Sequence, residues 1–380
     1  MQVCLNEPQK RDLLERGFSR RSFGRIAAMI TAGASIPFYN EPAMAQLSAV
    51  RNMPPDAVKI NANENPLGPC PEALEAIYKV AKNGGRYLYE ETFGFTELLA
   101  EQESVKANYV LPYAGSSAPL HQAVLGFCSP TKAYVACDPG YESGASAAKF
   151  IGAPVKKFPL LPNFAHDVKA MAAIENAGLI YICNPNNPTG TLTPKADIEW
   201  LVSNKPKGAV VMVDEAYTHI AGAPFNTDLV AQDKDVIVLR TFSKIYGMAG
   251  IRAGAAIARP DILEKIKPWT SGALPVTGMA AATASLKSKT VVPERRKIIA
   301  AVREDTYAFL EKHKFNYVPS VSNKFMVDTK RPAREVISAM AAEKVYIGRP
   351  WEAWPTHVRV SIGTQDEMNK FKTAFLKVMG

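Results

Sequence analysis

The chain has 380 residues, 47% of them hydrophobic, with 45 Lys and Arg against 36 Asp and Glu for a net charge of +9. That length buries a substantial core and holds two domains. The basic excess is scattered, with no dense Lys/Arg run and no interleaved aromatic ladder, which speaks against a nucleic-acid binder. Five cysteines, Cys4, Cys70, Cys128, Cys137 and Cys183, form neither a Cys-x-x-Cys pair nor a zinc spacing.

The first element in the chain is Ser19-Arg20-Arg21-Ser22-Phe23-Gly24-Arg25, followed by a run from Ile26 to Tyr39 without a charged residue. Ala43-Met44-Ala45 then offers a small-x-small cleavage pattern. Residues 1–45 resemble a twin-arginine signal peptide. The resemblance implies the twin-arginine export machinery as a partner, a periplasmic location and a mature chain beginning near Gln46. The apolar run is short and rich in Ala, Gly and Ser. No later segment approaches the ~20 apolar residues of a membrane span.

Beyond residue 100, short strand-like runs alternate with helical ones. Val110–Tyr113 leads into the small-residue turn Ala114-Gly115-Ser116-Ser117 and an apolar helix over Pro119–Phe127. Ala133–Ala136 is followed by Asp138-Pro139-Gly140-Tyr141, and Val155–Phe158 is the next strand. Leu179–Cys183 ends in Asn184-Pro185-Asn186-Asn187-Pro188-Thr189-Gly190, ahead of a helix over Lys195–Asn204. Ala209–Val213 ends in Asp214-Glu215-Ala216-Tyr217. Val236–Leu239 runs into Thr241-Phe242-Ser243-Lys244, with Arg252 eight residues on, then strand Gly254–Ala258 and helix Pro260–Lys267. Alternating β and α elements predict an open, mainly parallel sheet with helices on both faces, binding its ligand beyond the strand ends. The register then changes. A long helix over Pro293–Lys314, strands over Lys324–Val327 and Val358–Ile362, and a helix over Arg334–Glu343 predict a second, α+β domain.

The chemistry starts from Lys244. Its amine can condense with an aldehyde cofactor. The Ser243 hydroxyl and the Arg252 fork can hold a phosphate. Lysine, aldehyde and phosphate together point to pyridoxal phosphate (PLP).

With the Asn-Pro-Thr-Gly turn, Asp214, the Gly115 turn and Val358-Arg359-Val360-Ser361-Ile362-Gly363-Thr364 in this order, the chain resembles the class I/II aminotransferases. Asn61-Ala62-Asn63-Glu64-Asn65-Pro66-Leu67-Gly68 makes it most similar to the histidinol-phosphate aminotransferase group, from about Lys59 to the C-terminus. The resemblance implies the PLP-dependent transferase fold of type I: a mainly parallel seven-stranded sheet plus a smaller α+β domain. It divides the chain into 46–68 packing with the small domain, 69–285 as the large domain and 286–380 as the small one. It implies a homodimer acting on a small amino donor and a 2-oxo acid.

By the same resemblance, Lys244 carries the cofactor and then moves the proton, while Asp214 meets the pyridine nitrogen. Asn187 and Tyr217 hydrogen-bond the ring hydroxyl, and Tyr141 stacks on the ring. Gly115, Ser116, Ser243 and Arg252 cradle the phosphate. Tyr87 matches a tyrosine that reaches the partner subunit's phosphate, with Tyr89 as a rival because Leu88 stands where relatives carry proline. Arg359, aided by Asn187, matches the group that grips the substrate carboxylate.

Arg349 is a candidate for a substrate phosphate. Trp351 and Trp354 follow it, however, and Leu67 replaces the tyrosine of many relatives, so an apolar or aromatic side chain suits this neighbourhood equally. The expectation is an L-amino acid donor. The alternatives are histidinol phosphate, or a β-lyase or racemase reaction on the same fold.

Overall fold

The computed structural model describes residues 5–32, 53–269 and 272–380. In chain order the strands are β1 (Val58–Ile60), β2 (Val110–Tyr113), β3 (Ala133–Asp138), β4 (Val155–Pro159), β5 (Ala177–Cys183) and β6 (Val210–Asp214). They continue as β7 (Val236–Thr241), β8 (Gly254–Ala258), β9 (Asn316–Val318), β10 (Lys324–Asp328), β11 (Val345–Ile347) and β12 (His357–Ser361). The large sheet has the order β2-β8-β7-β6-β5-β3-β4.

From β7 through β6, β5 and β3 to β4 the neighbours are parallel. Parallel strands covered by helices on both faces read as unbroken apolar runs, and every residue of β5, β6 and β7 is buried. The edge strand β4 instead exposes Lys156 and Lys157, charges that discourage pairing with another chain. β8 is antiparallel to both β7 and β2. The chain between β7 and β8 doubles back without a crossover helix, closed by Phe242 N–H to the Ala253 carbonyl at 3.1 Å, and such a return gives an antiparallel neighbour.

Beyond the long helix Val291–Lys312 lies a three-stranded antiparallel sheet of order β12-β10-β9. Near it, β1 pairs in parallel with β11, so the chain ahead of the large sheet joins the C-terminal region.

The N-terminal residues are folded onto the large domain. Helix Glu7–Glu15 starts with an Asn6–Gln9 capping box, which satisfies two otherwise orphaned donors. Arg16 donates to the carbonyls of Leu125 and, at 2.8 Å, Cys128. Both lie at the end of helix Ser117–Phe127, where a cation is favoured. Leu5, Leu13, Phe18, Ile26 and Met29 are buried, while Arg20 and Arg21 are exposed. Ala43-Met44-Ala45 and Gln46 lie outside the described residues.

Cys70, Cys128, Cys137 and Cys183 are buried free thiols. Burial pushes Cys128 and Cys137 up to about 12, far from the thiolate form that reactivity needs.

Candidate active site

The segments that end β2, β5, β6 and β7 meet beyond the C-terminal edge of the parallel strands. The turn after β2 opens helix Ser117–Phe127, whose N-cap Ser116 makes no side-chain capping bond. Gly115 has φ +93°, and a Cβ there would lie 2.2 Å from Arg252 Nη2. Only glycine adopts this backbone and admits the guanidinium. Arg252 donates to the carbonyls of Ala114 and Ala249, both at 2.9 Å, and lies 3.4 Å from Ser243 Oγ. Ser116, Ser117, Ser243 and Arg252 line one cavity of about 160 Å³. A helix N-terminus, hydroxyls and a guanidinium together suit a phosphate.

Asp214 closes β6 and lines the same cavity. The sequence pattern places it just past the strand. It is instead the last paired residue, held because its carbonyl accepts the Asn184 N–H at 2.9 Å. Its carboxylate accepts the Tyr181 hydroxyl at 2.8 Å and the Ala216 N–H at 3.1 Å. Burial nevertheless holds its proton affinity above the ordinary carboxylate range, with Tyr181 and Ala216 and then the charges of Lys244 and Lys324 opposing that shift. A buried carboxylate with this residual cost is ready for a further cation, such as a protonated ring nitrogen.

Lys244 is 8% exposed and lines the cavity. Its Nζ lies 3.3 Å from the Ala62 carbonyl and 5.7 Å from the centre of the Tyr217 ring. Asn63 Nδ2 donates to the Tyr217 hydroxyl at 3.0 Å and lies 3.4 Å from Asn187 Oδ1. Asn187 Oδ1 also accepts Arg359 Nη1 at 2.9 Å, and Arg359 Nη2 donates to the Asn61 carbonyl at 2.5 Å. Arg359 is fully buried on β12. It therefore reaches the cavity wall through Asn187 without lining the cavity itself.

The turn Asn184–Gly190 is clamped from the small domain. Gly190 has φ +73°, a Cβ there would meet Ser320 Oγ at 1.9 Å, and its carbonyl accepts the Val321 N–H at 3.0 Å.

The cavity thus gathers Ser116, Tyr141, Asn187, Asp214, Tyr217, Ser243, Lys244 and Arg252, with Gly115 behind Arg252. Tyr87, expected at the partner subunit's phosphate, and Arg349 lie, like Arg359, outside the lining of this cavity. Tyr87 is 71% exposed and stacks on Tyr89 at 5.6 Å. Arg349 is buried, ion-paired with Glu142, and stands 4.0 Å over the Trp351 ring. It lines a second cavity with Glu142, Arg334 and Pro355. The Trp351 indole N–H donates to the Gly140 carbonyl at 3.2 Å, and Arg359 lies 5.3 Å from the same ring. Trp351 therefore contacts both guanidinium groups.

Several neighbours of the site escape a reading of the sequence. Asn63 and Ser361 join the Tyr217 network, with Asn63 N–H donating to Ser361 Oγ at 2.9 Å. Asn63 takes φ +53°, a left-handed backbone that asparagine tolerates better than most residues, and its place among the closely spaced Asn61, Asn63 and Asn65 is the one hint of it in the sequence; Ser361 carries none. Glu142 carries no signal beyond following Tyr141. Lys324 is marked only by being a lysine that opens an apolar strand.

The residues present fit PLP: a phosphate cradle, a buried lysine and a carboxylate that still costs free energy to ionise line one cavity. Comparison with known proteins agrees. A family model described as aminotransferase class I and II matches residues 55–375. A histidinol-phosphate aminotransferase of Symbiobacterium thermophilum is 33% identical over 334 residues, covering 86% of this chain and 91% of that protein. One from Moorella thermoacetica is 31% identical, covering 85% and 86%. A crystal structure of an Erwinia carotovora atroseptica protein superposes with a TM-score of 0.81 at 31% identity, covering 85% of this chain and 96% of that one. The fold is shared with histidinol-phosphate aminotransferase from Sinorhizobium meliloti, solved in complex with pyridoxal-5'-phosphate, at a TM-score of 0.77 and 24% identity, covering 84% and 90%. The chain belongs to the class I and II aminotransferases and is a PLP-dependent transaminase resembling the histidinol-phosphate aminotransferases.

Proposed function

We propose that the amino donor is an L-amino acid with an uncharged side chain, not a phosphorylated amine. The observation that carries this reading is the pairing of Arg349 with Glu142 against the face of Trp351. A phosphate reaching Arg349 would have to displace a carboxylate from a buried site, and its dianion would be repelled by Glu142. Arg359 then binds the α-carboxylate, with its fork already oriented by Asn187 and Asn61.

In this reading Gly115, Ser116, Ser243 and Arg252 hold the cofactor phosphate, and Tyr141 covers the ring. Asp214 keeps the ring nitrogen protonated. Asn187 and Tyr217 hold the ring oxygen. Bound PLP supplies the electron sink for the charge left when the donor loses its α-proton. With PLP bound, Lys244 would hold the cofactor and its Nζ would serve as the base that takes up the donor's α-proton. Its reach is set by the Ala62 carbonyl and the Tyr217 ring.

The test is a donor panel on PLP-loaded enzyme with a fixed 2-oxo acid, comparing kcat/KM for phenylalanine, tyrosine, other amino acids and histidinol phosphate. The expected result is that at least one amino acid exceeds histidinol phosphate by about tenfold or more, a difference of ~1.4 kcal/mol. Glu142→Gln should narrow that gap. Histidinol phosphate outperforming every amino acid would overturn the reading.

Two wider inferences accompany it. The chain works as a homodimer, supported by the exposed aromatic side chains of Tyr87 and Tyr89, at 71% and 59%, stacked on each other at the start of helix Tyr89–Gln102, where a partner subunit would cover them. The chain is also exported by the twin-arginine route, supported by the exposure of Arg20 and Arg21 on the folded surface.

A further inference from the structure

Tyr181 is 2% exposed in β5, a strand whose other members are all Ala, Gly, Leu, Ile or Cys. A hydroxyl at such a position costs free energy unless it is hydrogen-bonded. The sheet register supplies the partner. Cys183 of β5 stands opposite Asp214 of β6. Side chains two apart in a strand share a face, so Tyr181 lies on the face of Asp214 and reaches it diagonally. Its hydroxyl donates to Asp214 Oδ2 at 2.8 Å, while the Ala216 N–H donates to Oδ1 at 3.1 Å. Each carboxylate oxygen thus has a donor, and together the two fix the plane of the carboxylate. Tyr134 of β3 stacks on the phenol, with ring centres 6.0 Å apart. Burial and the charge of Asp214 keep the phenol protonated, so it serves as a donor. Tyr181 does not line the Lys244 cavity and acts on it through Asp214.

We propose that Tyr181 is a positioning residue for this transaminase: its hydroxyl clamps one oxygen of Asp214 while Ala216 holds the other, favours the ionised carboxylate, and so keeps the shared proton on the cofactor's ring nitrogen. The proposal rests on the PLP site described above and deepens it. Packing alone does not call for a hydroxyl here, since phenylalanine fills the same strand position without a buried polar atom. A hydrogen bond to the charged form favours that form. Burial raises the proton affinity of Asp214, and the Tyr181 bond is the foremost of the contacts that oppose it.

The titratable groups around Asp214 are Tyr181 and Cys183 from β5, Tyr134 from β3, Tyr217 beyond β6, Lys244 beyond β7 and Lys324 from β10, whose Nζ stands 3.1 Å from the centre of the Tyr217 ring. Tyr181→Phe changes no charge among them and removes one oxygen, so it isolates the bond.

The test has two arms, and neither reads turnover. In the apo-protein, carbon-13 NMR follows the Asp214 carboxyl against pH, its signal identified by its loss in Asp214→Asn. Tyr181→Phe should raise the midpoint by about one to two pH units, the size of one hydrogen bond to a charged group. In PLP-loaded protein at constant pH, nitrogen-15 NMR of cofactor labelled at the ring nitrogen should move toward the unprotonated position in Tyr181→Phe. The Tyr134 hydroxyl is buried without a hydrogen-bond partner, so Tyr134→Phe is the matched control and should move neither signal. An unmoved Asp214 midpoint in Tyr181→Phe overturns the proposal. A raised midpoint with an unmoved ring signal also overturns it, since the bond would then hold the carboxylate without reaching the cofactor. Equal shifts in Tyr134→Phe overturn it too, because loss of any buried oxygen nearby would suffice. Thermal unfolding checks that each variant folds, and Tyr181→Met removes the same donor if the phenylalanine variant does not. A wild-type protein that takes up no PLP refutes the cofactor site together with the proposal, and is told apart because the Asp214 midpoint still rises in apo Tyr181→Phe.

Discussion

The residues of the site owe their chemistry to burial as much as to type. Asp214 is the clearest case. On the proposed reading its carboxylate works ionised beside the ring nitrogen, yet burial raises its proton affinity. A folded-state value above the unfolded one means that the unfolded chain releases its proton first, so stability is lost as pH rises from about 3.9 through the raised value. Above the raised value Asp214 therefore costs the apo-protein stability. Asp214→Asn should cut kcat/KM by at least ~10²-fold while leaving the apo-protein's Tm equal or higher. A Tm drop of several degrees would show instead that the charge supports the fold. Lys244 and Arg252 are legible in the sequence because each follows an apolar strand within a distinctive turn, and Asp214 because it ends one. Lys324 and Asn63 are not, since their meaning comes from Tyr217, more than 100 positions away in the chain.

At the scale of elements, the large sheet is supported from below the site by a buried ion triad. Arg240, in β7, is 2.6 Å from Glu215, which follows β6, and 2.7 Å from Glu103, which ends helix Tyr89–Gln102. Its guanidinium lies 4.4 Å over the Phe225 ring, and Glu215 accepts the Asn226 backbone and side-chain donors at 2.7 and 2.8 Å. Three elements and a loop are thus joined directly behind Asp214. Arg240→Met removes the cation and leaves two buried carboxylates facing each other, so it should destabilise by about 3–5 kcal/mol. Urea unfolding of the apo-protein measures this, and a loss below about 1 kcal/mol would mean that the carboxylates rehydrate. The strands that carry this arrangement are readable because β5, β6 and β7 are apolar on both faces. The three-residue strands β1, β9 and β11 are not readable. They are too short for a period to emerge, and β1 is defined only by its distant partner β11.

At the scale of the whole molecule, the sequence reveals an alternating α/β region followed by a second, smaller one. It does not reveal how the segment Asn61–Gly68 laces them together. Asn61 and Ala62 offer carbonyls to Arg359 and Lys244, and Asn65 donates to the Ile245 carbonyl at 3.0 Å. The N-terminal arm contributes differently. No residue between 5 and 32 lines the Lys244 cavity. Its contacts include Leu5, Leu13, Phe18, Ile26 and Met29 in the core, Arg16 at the end of helix Ser117–Phe127 and Gln9 Nε2 donating to the Pro268 carbonyl at 3.2 Å. Burying each large apolar side chain contributes about 1.5–3 kcal/mol, but ordering the arm's backbone costs about 1–2 kcal/mol per residue. The two oppose each other, so the arm can be lost without loss of the fold. A chain beginning at Gln46 should bind PLP, retain kcat/KM within about twofold and sediment as a dimer, with Tm lowered by no more than about 5 °C. On the proposed export reading the exposed arginine pair is the recognition element. Arg20→Lys with Arg21→Lys should hold the full-length chain inside the cell, and native periplasmic protein should begin near Gln46. Recovery of an intact Met1 from the cytoplasm, or an inactive Gln46 chain, would instead make the arm a permanent part of the enzyme.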